Sequence, residues 1–156
     1  MIRDEEAIPL AGGPQQVYSV FIKSSPERVW QAVTDPAFTA RYFYGSRIEC
    51  RLEAGAPLRH LDAEGNAMVE GEVLEADPPR RFVHTWRSSW IPAMAADAPS
   101  RVTWEITPVD GGVTQLTLTH DQFDGETATY REVAGGWSYV LSGLKTLVET
   151  GQPLAG

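Results

Sequence analysis

The sequence predicts an α+β domain in which a curved antiparallel sheet of about seven strands wraps around one long C-terminal helix. Three observations point there. Two proline-opened helices follow the first strand back to back, six consecutive segments then alternate with period two, and the chain closes on a stretch with a helical apolar arc.

The first strand is "QVYSVFIK" (16–23), an alternating run. In "SSPERVWQAVTDP", Ser25 is the expected N-cap and Pro26 the first helical residue; Asp35 and Pro36 repeat that device for "PAFTARYF". The period-two segments span 46–52, 56–61, 66–76, 80–87, 100–107 and 113–120, separated by turn chemistry such as "DAEGN", "DPP" and "VDGG". The final helix is expected from about Asp124–Glu126 to Gly151, with Pro153 beyond it. Tyr130, Val133, Trp137, Val140, Leu141, Leu144, Leu147 and Val148 share its apolar arc, opposite Arg131, Ser138, Ser142, Lys145 and Glu149. Gly135 and Gly136 interrupt this helix just before Trp137, and each interior glycine costs roughly 1 kcal/mol relative to alanine. Gly136 and Gly143 fall on one flank, where a strand or loop backbone can approach closely. Gly135 faces the polar side, so its expected contribution is a bend or hinge that adjusts the space beside the helix.

The domain is expected over 15–151, after a loose lead-in over 1–14 that ends in "GGP" and before a tail over 152–156. With 42% apolar and 22% charged residues, the chain of 156 can bury a single core. A net charge of −8 without any Lys/Arg run argues against nucleic acid and anionic membranes as partners. The one cysteine, Cys50, permits no internal disulfide and suits a reducing compartment; with no apolar leader or membrane-length run, a cytoplasmic location is the default.

A sheet gripping one helix need not close tightly, and the gap is a natural cavity. Alternation puts Phe82, His84 and Trp86 on one face, Val102, Trp104 and Ile106 together, and Leu116, Leu118 and His120 together. Phe82, Leu116 and Leu118 suit ordinary core packing. His84, Trp86, Trp104 and His120 suit a pocket wall, opposite Tyr130, Trp137, Leu141 and Leu144 of the helix arc. In the longer connection 88–100, Trp90 and Met94 are candidate mouth residues of a lid. The bland alternative packs this loop on the sheet edge or on a second subunit, which leaves a homodimer open. Tyr42, Phe43 and Tyr44 are expected to plug or line one end of the cavity.

No catalytic constellation stands out. There is no paired-carboxylate site, no G-x-S-x-G and no phosphate-cradling glycine loop, and Cys50 has no identifiable histidine partner. A metal would need three or four converging ligands, and His60 lies on a strand expected to be distant from His84 and His120, so neither metal nor cofactor is expected. A partly buried His84 or His120 could titrate near neutrality and act as an acid–base group, although orienting a ligand by hydrogen bonding is the preferred role.

The segments "VYSVFIKSSPERVWQAVTDP", "YFYGS", "EGEVLEADPPRRFVHTW", "SRVTWEI" and "GGWSYVLSGLKTLVETG" resemble the SRPBCC superfamily, also called START-like or Bet v 1-like. They are most similar to the branch named after the activator of heat shock protein 90 ATPase. The resemblance spans roughly 15–151. It implies a helix-grip fold with a deep hydrophobic cavity, in a superfamily of ligand carriers, polyketide cyclases, antibiotic-sequestering proteins and co-chaperone domains. The preferred expectation is a non-enzymatic binder of a small hydrophobic or aromatic molecule. A cavity enzyme of cyclase, hydrolase or dehydratase type is the alternative. A stress-response co-chaperone with a chaperone partner ranks third, because activators of that type carry a further N-terminal domain.

Overall fold

The computed structural model describes residues 13–155, so all but the last two residues of the lead-in expected over 1–14 lie outside the described residues. The elements are β1 (Gln16–Ile22), α1 (Pro26–Thr34), α2 (Pro36–Tyr42), β2 (Arg47–Cys50), β3 (Pro57–Leu61), β4 (Ala67–Asp77), β5 (Arg81–Ser88), α3 (Pro92–Ala95), β6 (Ser100–Val109), β7 (Val113–Asp121), α4 (Ala128–Ala134) and α5 (Trp137–Thr150). The strands form one antiparallel sheet in the order β1-β7-β6-β5-β4-β3-β2. From β2 to β7 the chain is a meander, while α1 and α2 carry it from one edge of the sheet to the other.

Local chemistry explains the helix pair. The Ser25 hydroxyl accepts the Arg28 amide at 3.2 Å, and Asp35 ends α1 while its carboxylate accepts the Ala37 amide at 2.8 Å to start α2. Beyond α2 the chain turns through Tyr44 (φ +52°) and Gly45 (φ +73°). A tyrosine in left-handed backbone stores about 1–3 kcal/mol of strain, and this one sits at the rim of the cavity described below.

The sheet curves where its ladders slip. Registers shift between His60 and Leu61 in β3 and between Val73 and Glu75 in β4. At Gly71 a Cβ would lie 2.0 Å from the Thr85 carbonyl oxygen, so only glycine lets β5 come this close.

The concave face buries Val73, Phe82, Val102, Ile106, Leu116 and Leu118 against Leu141, Leu144 and Leu147 of α5. Gly143 is buried as well. A Cβ there would stand 3.3 Å from the Tyr42 Cβ and 3.6 Å from its carbonyl oxygen, so the close neighbour of this glycine flank is the end of α2.

The single C-terminal helix expected from about residue 124 is two helices. Thr127 caps α4 by accepting the Tyr130 amide, and the helix breaks at Gly135–Gly136. The Gly136 amide reaches the Val133 carbonyl, three residues back instead of four, so the ladder tightens and α5 restarts at Trp137. Periodicity is blind to this break because Tyr130 and Val133 stay in phase with the arc beyond it.

Candidate functional site

A cavity of about 530 Å³ opens at the head of α5. Its walls come from four directions: Phe43, Tyr44 and Ser46 after α2; His60, Met68, Val69 and Trp86 on the sheet; Trp90 in the following loop; and Glu132, Val133, Gly135, Gly136, Trp137 and Val140 around the helix break. Phe43 organises the floor. Its ring stacks on His60 (4.5 Å between centroids, 25°) and meets Trp137 edge-on (5.8 Å, 87°), with Trp86 tilted against it at 6.2 Å. The rim is exposed: Tyr44, Trp90, Glu132 and Gly135 all face solvent. The Tyr44 ring stacks on Tyr139 at 6.0 Å, and its phenol is held above its ordinary pKa by desolvation, then by Tyr139 and Glu132.

Of the residues expected at a site, Trp86, Trp90 and Trp137 line this cavity, with Phe43 and Tyr44 at one end of it. The others lie elsewhere, for separate reasons. Leu141 and Leu144 pack wholly in the core further along α5, away from the opening. Tyr130 is half-buried against the core, where its ring meets Phe123 at 5.1 Å. Met94, expected at the mouth, is 1% exposed and anchors the loop. Asp97 ties the same loop to α4 by accepting both the amide (2.9 Å) and the hydroxyl (2.7 Å) of Thr129.

Trp104, His84 and His120 sit behind the cavity wall in a hydrogen-bonded layer. The Trp104 indole N–H donates to Nε2 of His84 at 3.2 Å, and His84 Nδ1–H donates to the Thr85 carbonyl at 2.9 Å. The Trp137 indole N–H donates to Nδ1 of His120 at 3.0 Å. Nδ1 is therefore the bare nitrogen, and Nε2–H of His120 donates to the Ser100 hydroxyl at 2.7 Å, which in turn reaches the Trp86 carbonyl. Burial pushes His84 down to about 4, against a smaller upward pull from the Thr85 carbonyl; burial and then His84 push His120 down to about 3. These values correct the expectation of titration near neutrality. Both imidazoles are neutral acceptors for indoles, with both ring nitrogens engaged and neither on the cavity.

His60, set apart in the sequence as distant, is the histidine on the cavity. Its ring and those of His84 and His120 all lie within 6.5 Å of Trp86 between centroids. The alternation of "PLRHL" places His60 beside Leu58 on the concave face, a signal sufficient to have found it. Glu132 and Met68 carry no such signal, because a rim is defined by the helix break and the sheet's curvature. Among the described residues no group of three or more His, Cys, Asp or Glu side chains is arranged to hold a metal ion. Cys50 is half-buried, with its thiol pushed up by desolvation, which keeps it a poor nucleophile. No described helix is long and apolar enough to cross a membrane.

A curved antiparallel sheet closed over by a C-terminal helix, with a cavity where that helix begins, defines the helix-grip class of domain. The family model described as "Activator of Hsp90 ATPase homolog 1-like protein" matches residues 23–149, and the chain belongs to this family. No curated protein matches. Among solved structures, PFC0360w, an HSP90 activator from Plasmodium falciparum, is 25% identical with a TM-score of 0.69, over 89% of this chain and 97% of that one. The Aha1 dimer from Colwellia psychrerythraea gives 17% identity and a TM-score of 0.70, over 88% and 98%. DynU16, from the dynemicin biosynthetic locus, gives 24% identity and a TM-score of 0.73, over 89% of this chain and 48% of that one.

Proposed function

We propose that the protein binds a small apolar or aromatic molecule in the cavity between the sheet and the α4–α5 junction. The lining carries this reading. Three indoles, Phe43 and Tyr44 surround about 530 Å³, within the roughly 300–1,000 Å³ of small-molecule sites. Indoles with satisfied N–H groups offer flat apolar faces, and the Trp86 and Trp137 N–H groups are taken by Ser88 and His120. Binding without turnover is favoured because His60, the histidine on the cavity, is held near 3 by burial and then by His84, and among the described residues Glu132 is the one lining carboxylate. Native mass spectrometry of freshly purified protein and a thermal-shift screen of neutral arenes, lipids and polyketides test the proposal. A ligand at a hundred times its dissociation constant adds about 2.7 kcal/mol of stability. A screen in which no compound moves the melting temperature contradicts it.

A second reading is a co-chaperone acting on an HSP90-type ATPase. The likeness to an HSP90 activator, whose solved chain is covered to 97%, supports it. Stimulation of a chaperone's ATP hydrolysis by the purified chain, undiminished by filling the cavity, would support this reading over the first.

A further inference from the structure

We infer that His60 makes the cavity selective for uncharged aromatic molecules that carry a phenolic hydroxyl, an inference that rests on the binding reading above. The chain buries three histidines, and their hydrogen bonding differs in one respect. His84 and His120 have both ring nitrogens partnered. His60 has one. Its Nδ1 lies 3.3 Å from the Ser46 hydroxyl, whose only proton is given to the Phe43 carbonyl at 2.7 Å. The Ser46 oxygen therefore presents a lone pair to His60, and Nδ1 must carry the ring proton. That leaves Nε2 as a bare acceptor, and among the described residues no group donates to it.

An unmet acceptor on a ring only 4% exposed is costly. A phenylalanine could stack on Phe43 without presenting a bare ring nitrogen. His60 instead lines the cavity, so a donor from a bound molecule completes its hydrogen bonding. Ser46, itself fully buried, acts as a positioning residue by holding the tautomer.

Charge narrows the class further. Among the described residues no Lys or Arg lines the cavity, and Glu132 stands at its rim. Burial keeps the His60 imidazole neutral at physiological pH. An anion would enter past a carboxylate to meet no cation, so carboxylates and sulfonates are disfavoured. A neutral O–H on a flat ring meets the acceptor with its proton and the indoles with its faces.

The test compares three probes of similar size on the full chain: 2-naphthol, its methyl ether 2-methoxynaphthalene, and 2-naphthoate. Titration followed by tryptophan fluorescence should show 2-naphthol binding about tenfold more tightly than the methyl ether, the worth of one neutral hydrogen bond, with 2-naphthoate weakest. His60→Phe should erase the preference while the ether still binds. In the wild-type protein, which needs no variant to fold, the Nε2 ¹⁵N resonance of His60 should move upfield with 2-naphthol and stay in place with the ether. Equal affinity for naphthol and ether, or an unmoved Nε2 resonance at saturation, overturns the role of His60 and leaves the cavity reading intact. Failure of both neutral arenes to bind overturns the cavity reading, and this inference with it.

Discussion

The indole N–H of Trp137 donates to Nδ1 of His120 at 3.0 Å, and this bond ties the first residue of α5 to the end of β7. From His120 the chain of bonds continues through Ser100 to the Trp86 carbonyl, joining α5 to three adjacent strands behind the cavity wall. The layer fixes the Trp137 indole, and the Trp86 indole N–H is held separately by the Ser88 hydroxyl at 2.7 Å. Replacing His120 by Leu leaves the Trp137 N–H buried without a partner. We expect a loss of about 2–4 kcal/mol, from the unpaired donor and the mismatched shape, read as a lower urea midpoint at unchanged slope. Adding Trp137→Phe removes that donor and should cost less in the His120→Leu background than in the wild type. Strict additivity of the two changes would mean that the bond contributes nothing.

Acid should unfold this protein earlier than its carboxylates alone require. His60 and His120 are held at about 3 and His84 at about 4, chiefly by burial, against an ordinary 6.5. A histidine with a lowered folded pKa binds its proton better in the unfolded chain, so stability rises with pH between the two values. The contribution is complete above pH 6.5 and drains away as pH falls toward 4 and 3. By pH 5 the loss amounts to about 2 kcal/mol per histidine. Urea unfolding between pH 7 and 5 checks this. Flat stability over that window would show that the imidazoles are charged or exposed in the folded protein.

The glycines of the C-terminal helices should respond in opposite directions. A Cβ at Gly135 meets no atom within 4 Å, and its φ of −88° suits any residue. Gly135→Ala should therefore stabilise by about 0.4–1 kcal/mol, while slowing ligand exchange, because the glycine lies on the cavity rim at the break. At Gly143 the new methyl would press on the Cβ and carbonyl of Tyr42, whose own hydroxyl is fastened to the Ala32 carbonyl at 2.8 Å. Gly143→Ala should destabilise by about 1 kcal/mol despite its better helix propensity. Thermal denaturation separates the two. Stabilisation by Gly135→Ala with unaltered exchange rates would remove any hinge role for the break.

The legible part of this protein is the part governed by period and cap chemistry. Ser25-Pro26 and Asp35-Pro36 announce α1 and α2, and the alternation of "RFVHTW" and "SRVTWEI" puts the right residues on the concave face. The site is less legible because facing inward does not decide between core and cavity. Trp86 and Trp104 read alike in sequence, yet one borders the opening and the other lies behind it. What separates them is how far along α5 the sheet is covered, and that depends on where the helix breaks. The twin glycines mark the place, although periodicity alone runs straight through them.

An aromatic ligand entering the cavity at the head of α5 is reported individually by the five indole N–H resonances. Trp86, Trp90 and Trp137 line the opening, whereas Trp30 and Trp104 do not. Titrating ¹⁵N-labelled protein with 2-methoxynaphthalene should shift the resonances of those three and leave Trp30 and Trp104 nearly in place. Indoles that all stay fixed at saturating probe, or shifts confined to Trp30 and Trp104, would contradict the assignment of this cavity as the binding site.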